Sequence, residues 1–191
     1  MREEMRDVSP ILTTPEIAWS GIEAGPDERV GVRDAVAADR EHFAELWRAF
    51  LAENATRGAQ FAPDEPTLRF FMEIFDKIVS GGLKGAALYD PAGAVLLWPI
   101  VPVPFNYNFP DVGIVPSSEV GLGYGTYLIP AIRGGGRGFA VQLMGLARLR
   151  EDGARFFLGG VPYDNKMSAG LSVKHGTSNL GTTVLLPLEA R

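Results

Sequence analysis

The stretch Ile129-Pro130-Ala131-Ile132-Arg133-Gly134-Gly135-Gly136-Arg137-Gly138-Phe139-Ala140 constrains this chain more than any other. An apolar run ends in a glycine-rich turn, and a helical pattern begins at once. Phe139, Leu143, Leu146 and Arg150 fall at helical spacing, as do Ala140, Met144 and Ala147. The glycines therefore occupy a strand-to-helix junction. A helix N-terminus presents unpaired N–H groups and the positive end of the helix dipole to an anion. Glycines let the backbone approach a bulky anion such as a pyrophosphate. Arg133 and Arg137 add charge that does not titrate near neutral pH. Two familiar phosphate loops are excluded. The chain has no Gly-Lys pair, so it has no P-loop, and the G-x-G-x-x-G/A fingerprint fails because its last position is Phe139 counted from Gly134 and Val141 counted from Gly136. The bland alternative is a glycine-rich connection that holds no ligand.

Residues 1–28 show no sustained periodicity and read as an N-terminal arm, with Trp19 and Ile22 as anchors onto its own domain or a neighbour; residues 29–191 read as the folded domain. Val30–Arg33 is a short strand. The spacing of Phe43, Leu46, Trp47, Phe50 and Leu51 predicts a helix over 38–54, and that of Leu68, Phe71, Met72, Phe75, Ile78 and Val79 a second over 67–80, with a 55–66 loop between them. Lys84–Tyr89 and Ala94–Val101, separated by Asp90-Pro91-Ala92-Gly93, predict a hairpin. Residues 103–120 read as loop. Leu122–Pro130 is a strand weakened by Gly121, Gly123 and Gly125, which hint at a bulge or a close backbone approach. A helix over 138–152, a strand over 156–161, a short helix from Asn165 to His175 and a strand over 182–188 complete the order.

Charged residues make up 21% of the 191, and the net charge of −5 argues against a nucleic-acid footprint. The absence of cysteine excludes disulfides, thiolate metal sites and a cysteine nucleophile. Two isolated histidines, His42 and His175, suggest no metal cluster. No apolar stretch reaches membrane-spanning length, the first residues are too polar for a signal peptide, and cytoplasm is the expected location.

The order β-α-α-β-β-β-α-β-α-β, with Arg133-x-x-Gly136-x-Gly138 after its fourth strand, resembles the GNAT superfamily of acyl-CoA-dependent N-acyltransferases over about residues 30 to 188. A second match is the family's N-x-x-A-x-x-x-Y-x-x-x-G-F pattern, of which Asn165 and Gly176 are kept; its tyrosine is Ser172 and its phenylalanine Thr177. The resemblance implies an α/β (α+β) fold with a mixed, mostly antiparallel sheet flanked by helices and splayed between its fourth and fifth strands. The tail is one strand short, and that edge would be dispensed with or covered by the arm or by a second chain.

The resemblance also implies a site. The loop Arg133, Gly134, Gly135, Gly136, Arg137, Gly138 and Phe139 would hold the pyrophosphate of acetyl-CoA, the strand backbone at Leu128 and Ile129 would bond the pantetheine, and Asn165 would lie beside the cofactor. Direct attack by an amine needs a general base, for which Tyr124 and Glu119 are the candidates. The implied activity is acyl transfer to a small-molecule or peptide amine, with the acceptor entering between the 55–66 and 103–120 loops. The competing readings are a non-catalytic assembly protein, built through the arm into a homo-oligomer or a larger assembly, and a CoA sensor.

Overall fold

The structure, a computed structural model, describes residues 7–13, 31–57, 61–109, 113–161, 165–166, 168–170 and 178–184, the first and last of these segments by their backbone. The arm outside 7–13, including Trp19 and Ile22, and Ser172, His175, Gly176 and Thr177 lie outside the described residues.

In chain order the elements are β1 (Asp7–Thr13), β2 (Arg33–Asp34), α1 (Arg40–Ala55), α2 (Glu65–Val79), β3 (Gly85–Asp90) and β4 (Ala94–Pro99). There follow β5 (Tyr107–Phe109), β6 (Gly113–Val115), β7 (Val120–Gly123), β8 (Gly125–Leu128), α3 (Arg137–Glu151), β9 (Phe156–Gly160) and β10 (Ser178–Val184). The helices agree with the apolar spacing that predicts them. α2 starts two residues earlier than expected: Asp64 accepts from the Thr67 amide at 2.8 Å as N-cap, and Pro66 sits in the first turn, where its missing N–H costs nothing. The expected 103–120 loop is partly a small hairpin, with β5 antiparallel to β6.

Strands β2, β3, β4 and β8 form one antiparallel sheet in that order. Strand periodicity sends alternate residues to opposite faces, and this sheet is covered on both. Ala87, Tyr89, Val95, Leu97 and Tyr127 meet α1 and α2, whose aromatic faces interlock: the Phe43 and Phe75 ring centroids lie 4.5 Å apart and those of Trp47 and Phe71 5.3 Å apart. Ala86, Leu88, Leu96, Trp98 and Leu128 meet α3 through Val141, Leu146 and Leu149. The double coverage explains why β4 is buried along its whole length.

A second sheet runs β10, β1, β9, β7. β1 is antiparallel to both neighbours, and register shifts fall on either side of Pro10, which has no N–H to give the ladder. β7 is parallel to β9, from Val120↔Phe156 to Gly123↔Gly159. Among the described residues the two sheets are joined by an antiparallel bridge, Ile100↔Gly121, and by the Trp98 and Phe157 rings, whose centroids lie 4.5 Å apart.

The expected strand over 122–130 is therefore two strands with different partners. They break at Tyr124, whose N–H turns back to the Leu122 carbonyl at 3.1 Å. The flanking glycines show why. A Cβ on Gly121 would lie 2.5 Å from Leu149 Cδ1, one on Gly125 would lie 2.5 Å from Phe50 Cζ, and one on Gly123 would run into the Phe157 ring. The strand changes sheets in a passage that only bare backbone fits. Gly145 serves α3 in the same way: a Cβ there would lie 2.7 Å from Leu96 Cδ1 and 2.8 Å from Trp98 Cε3, both buried. Gly145→Val should force α3 off the sheet, destabilising the protein by about 2 kcal/mol or more; denaturant melts at pH 7 check this.

Candidate functional site: a cleft at the end of β8

The pairing of β8 with β4 sets the phase of its backbone. The Ile129 N–H donates to the Gly93 carbonyl at 2.9 Å. Antiparallel residues alternate between bonding their neighbour and facing away from it. Ile129, Tyr127 and Gly125 therefore direct their backbone groups at β4, while Leu128 and Thr126 direct theirs to the edge that β9 has left. The expectation that Ile129 bonds a ligand is corrected: its amide is already spent. Leu128, expected to bond the same ligand, directs its N–H to the edge away from β4; its carbonyl accepts from Arg133 Nε at 2.8 Å.

A cleft lies along this edge. Its walls include Phe50, Glu53 and Asn54 of α1, Arg57 just after it, Thr126 to Leu128 of β8, Gly134 and Gly136 of the glycine turn, and Gly138 and Phe139 at the head of α3. Asn165 and Ser168 close it: the Asn165 Oδ1 accepts from the Ser168 amide at 3.1 Å, and the Asn165 carbonyl from the Ala169 amide at 3.0 Å. Asn165 thus starts the short helix, as its sequence position suggests. Gly134, Gly135 and Gly136 have φ of 104°, 57° and 81°, and a Cβ on any of them would point into open space. Their requirement is conformational, since side chains other than glycine avoid this region. Gly136 is the residue before α3, so the head of that helix stands at the cleft, which Gly138 and Phe139 line; the Arg137 N–H donates to the Gly134 carbonyl at 3.1 Å. Gly135 and Arg137 do not line the cleft, and Arg137 is exposed.

Arg133 differs most from its expected role as a phosphate contact. Its Nη2 bonds Glu53 Oε2 at 2.5 Å, its guanidinium lies 5.5 Å from the Tyr127 ring centroid, and its Nε holds Leu128. Glu53 also takes Arg57 Nη2 at 2.9 Å. Arg133 therefore ties the glycine turn to α1 and to β8. The hydrogen bond from Arg133 holds the Glu53 carboxyl below the usual carboxylate range, against an opposing push from burial. Sequence reasoning missed Glu53 and Arg57 because their partner lies far along the chain; the (i, i+4) spacing of Glu53 and Arg57 was the available signal. Thr126 was missed too. Its Oγ1 is buried without a hydrogen-bond partner among the described residues.

Neither expected base reaches the cleft. Tyr124 sits at the strand break against Phe61, Phe70 and Phe71, with ring centroids 6.3, 6.2 and 5.6 Å away. Burial, and secondarily the nearby Tyr107, push its phenol upward, the wrong direction for a base. Glu119 lies at the start of β7, where its Oε2 accepts from Arg155 Nη1 at 3.0 Å, at the closed end of the β7–β9 pair. His42 Nδ1 lies 2.6 Å from the Tyr89 hydroxyl, on the α1 side of the sheet and away from the cleft. Among the described residues no group of three or more His, Asp or Glu could hold a metal, and no helix is long and apolar enough to cross a membrane.

Solved structures share this fold. An aminoglycoside 6'-N-acetyltransferase from Acinetobacter haemolyticus matches 84% of this chain and 99% of its own, with a TM-score of 0.55 at 16% identity. A GCN5-related N-acetyltransferase from Ralstonia eutropha matches 83% and 98%, with a TM-score of 0.55 at 19% identity. The chain has the GNAT fold. A ribosomal-protein-alanine N-acetyltransferase from Brucella melitensis matches 81% and 99%, with a TM-score of 0.52 at 15% identity. No protein-family model matches the sequence, and no curated protein does. The strand expected as the fourth is β7 and β8 together, and that expected as the fifth is β9; their pairing runs from Val120↔Phe156 to Gly123↔Gly159, and β8 pairs with β4 instead.

The Glu53 ion pair has a pH signature. A carboxylate held below its unfolded pKa stabilises the fold above that value and ceases to as pH falls through the folded one. Glu53→Gln should cost about 0.5–1 kcal/mol at pH 7, the value for a partly exposed pair. The difference from wild type should shrink below about pH 4.3, the ordinary glutamate pKa; denaturant melts across pH 3–7 measure it.

Proposed function

We propose that this protein is an acyl-CoA-dependent N-acyltransferase that uses acetyl-CoA and a primary amine. The carrying observation is the coincidence, in one cleft, of the left-handed glycine turn at the head of α3 with the open edge of β8. The fit is chemical. Gly134, Gly136 and Gly138 present backbone suited to a pyrophosphate at a helix head, and among the described residues nothing crowds the space above the three left-handed glycines. The Leu128 N–H and the Thr126 backbone suit the amides and carbonyl of an acyl-pantetheine arm. Asn165 borders the same space. Arg133 acts as the brace of this loop, and Arg57 is the second guanidinium on the wall.

Bound acetyl-CoA would supply a thioester carbonyl. The amine nitrogen bonds to that carbon, the C–S bond breaks, and the proton lost by nitrogen ends on the thiolate, so the products are an amide and a thiol. A backbone N–H on the open edge stabilises charge developing on the carbonyl oxygen. Glu53, ionised and held by two guanidiniums, is a poor proton acceptor. The positions of Tyr124 and Glu119 favour a second reading, CoA binding without transfer. Thiol release from acetyl-CoA across a panel of amines separates the two.

Two substitutions test the cofactor assignment by calorimetric titration with acetyl-CoA. Gly136→Val places a β-branched residue at φ 81°, which rebuilds the turn without a core clash; affinity should fall at least tenfold while the melting temperature stays near wild type. Thr126→Val is the control: it removes a buried hydroxyl with no partner among the described residues, so the protein should melt no lower than wild type and bind acetyl-CoA as tightly. Wild-type affinity in folded Gly136→Val protein rejects the assignment.

A further inference from the structure

A strip of aromatic side chains leads away from the strand break. On α2 and the segment before it, Phe61 and Phe70 flank Tyr124, which also touches Phe71. Beyond Tyr124 the strip continues to Tyr107, close enough to act on the Tyr124 phenol, and Tyr107 packs against Phe105 with ring centroids 5.8 Å apart. Much of this surface faces water: Phe70 is 48% exposed and Phe105 59%. With Val36 and Ile114, which lie off the strip, these are the large exposed apolar residues of the described surface. Tyr124, at the centre of the strip, is the residue between β7 and β8, so the strip begins where β8 begins. The inner side of the same aromatic layer runs through Trp47 to Phe50, which lines the cleft.

We propose that this strip is the acceptor subsite and that the acceptor is a monoamine on an aromatic or compact apolar body, not a polyamine or a lysine-rich peptide. The proposal rests on the acyltransferase reading above and adds the class of its second substrate. Three features select this class. Ring faces and edges contribute area and stacking to an aromatic ligand, and a single ammonium is tolerated over a ring face. Both phenols are held neutral, their pKa values raised by burial. The carboxylates at the head of α2 that a polycation would seek are engaged, Asp64 as the N-cap of Thr67 and Glu65 with Arg48 at 3.2 Å. The apolar surroundings also bear on the missing base. Desolvation lowers the pKa of an ammonium, so an amine bound here gives up its proton more readily and needs less from a carboxylate.

The test is amine binding to the CoA-loaded protein, followed by calorimetry, with 2-phenylethylamine, spermidine and a lysine tetrapeptide as probes. Phenylethylamine should bind at least tenfold tighter than either polar probe. Phe70→Ala, a change at a half-exposed position, should weaken it about fivefold or more while leaving CoA affinity unchanged. Spermidine or the peptide binding as tightly, or no probe binding although CoA does, overturns this assignment and leaves the acyltransferase reading standing. If CoA itself fails to bind but phenylethylamine binds and depends on Phe70, the strip remains an amine site and the acyltransferase reading falls. Light scattering gives the other contrary outcome: a concentration-dependent dimer abolished by Phe105→Ser and Phe70→Ala would make the strip an interface between copies of the chain.

Discussion

One strand has to leave one sheet and join another, and the passage is too narrow for side chains. Gly121, Gly123 and Gly125 pass Leu149, Phe157 and Phe50 at distances that exclude a Cβ. With these bulky groups pressed against it, β7 pairs with β9 and β8 pairs with β4, and neither can follow the other's partner. The open edge of β8, the aromatic corner at Tyr124 and the approach to the cleft all follow from that exchange. Glycine in a strand interior normally weakens it. Here the loss is offset by the packing of the two covered faces of the β2–β3–β4–β8 sheet, which hold β8 in place.

Electrostatics then fixes the mouth of the cleft. Arg133 stands just before the glycine turn and is held at three points: the Glu53 carboxylate, the Leu128 carbonyl and the Tyr127 ring. With Arg57 on the same carboxylate, the wall carries two guanidiniums against one acid, and the dipole of α3 adds to the excess. The surplus is positive although the chain as a whole is acidic. A loop of three left-handed glycines would be loose by itself; bracing it from α1 and from β8 limits the conformations it can take.

Much of this was legible in the sequence. The spacing of Phe43, Leu46, Trp47 and Leu51, and of Leu68, Phe71, Met72 and Phe75, marks the two helices because a buried helical face must repeat near 3.6 residues. Asp90-Pro91-Ala92-Gly93 marks the hairpin through turn chemistry. The glycine turn and the Asn165 cap are local motifs, and both stand where the chain suggests. What was hidden is non-local. Nothing near Arg133 in sequence announces Glu53. The phase that spends the Ile129 amide and exposes that of Leu128 is set by pairing with Gly93, so a strand reading alone cannot assign it. Tyr124 reads as a site residue because it sits in the strand that feeds the loop, yet the break turns it toward α2. The β5–β6 hairpin was masked by a proline- and asparagine-rich composition that resembles loop.

The placement of β1 has a consequence for how the molecule is made. Asp7–Thr13 lies between β9 and β10, so this sheet closes only when strands far apart in the chain meet. During synthesis the β2–β3–β4–β8 half with its helices can collapse early, from contacts that are closer in sequence. The other sheet must wait until the ribosome has released β9 and β10, with β1 unpaired while everything between them is made. Such long-range closure slows folding. It also leaves an apolar strand edge on β9 that any other nascent chain could reach first.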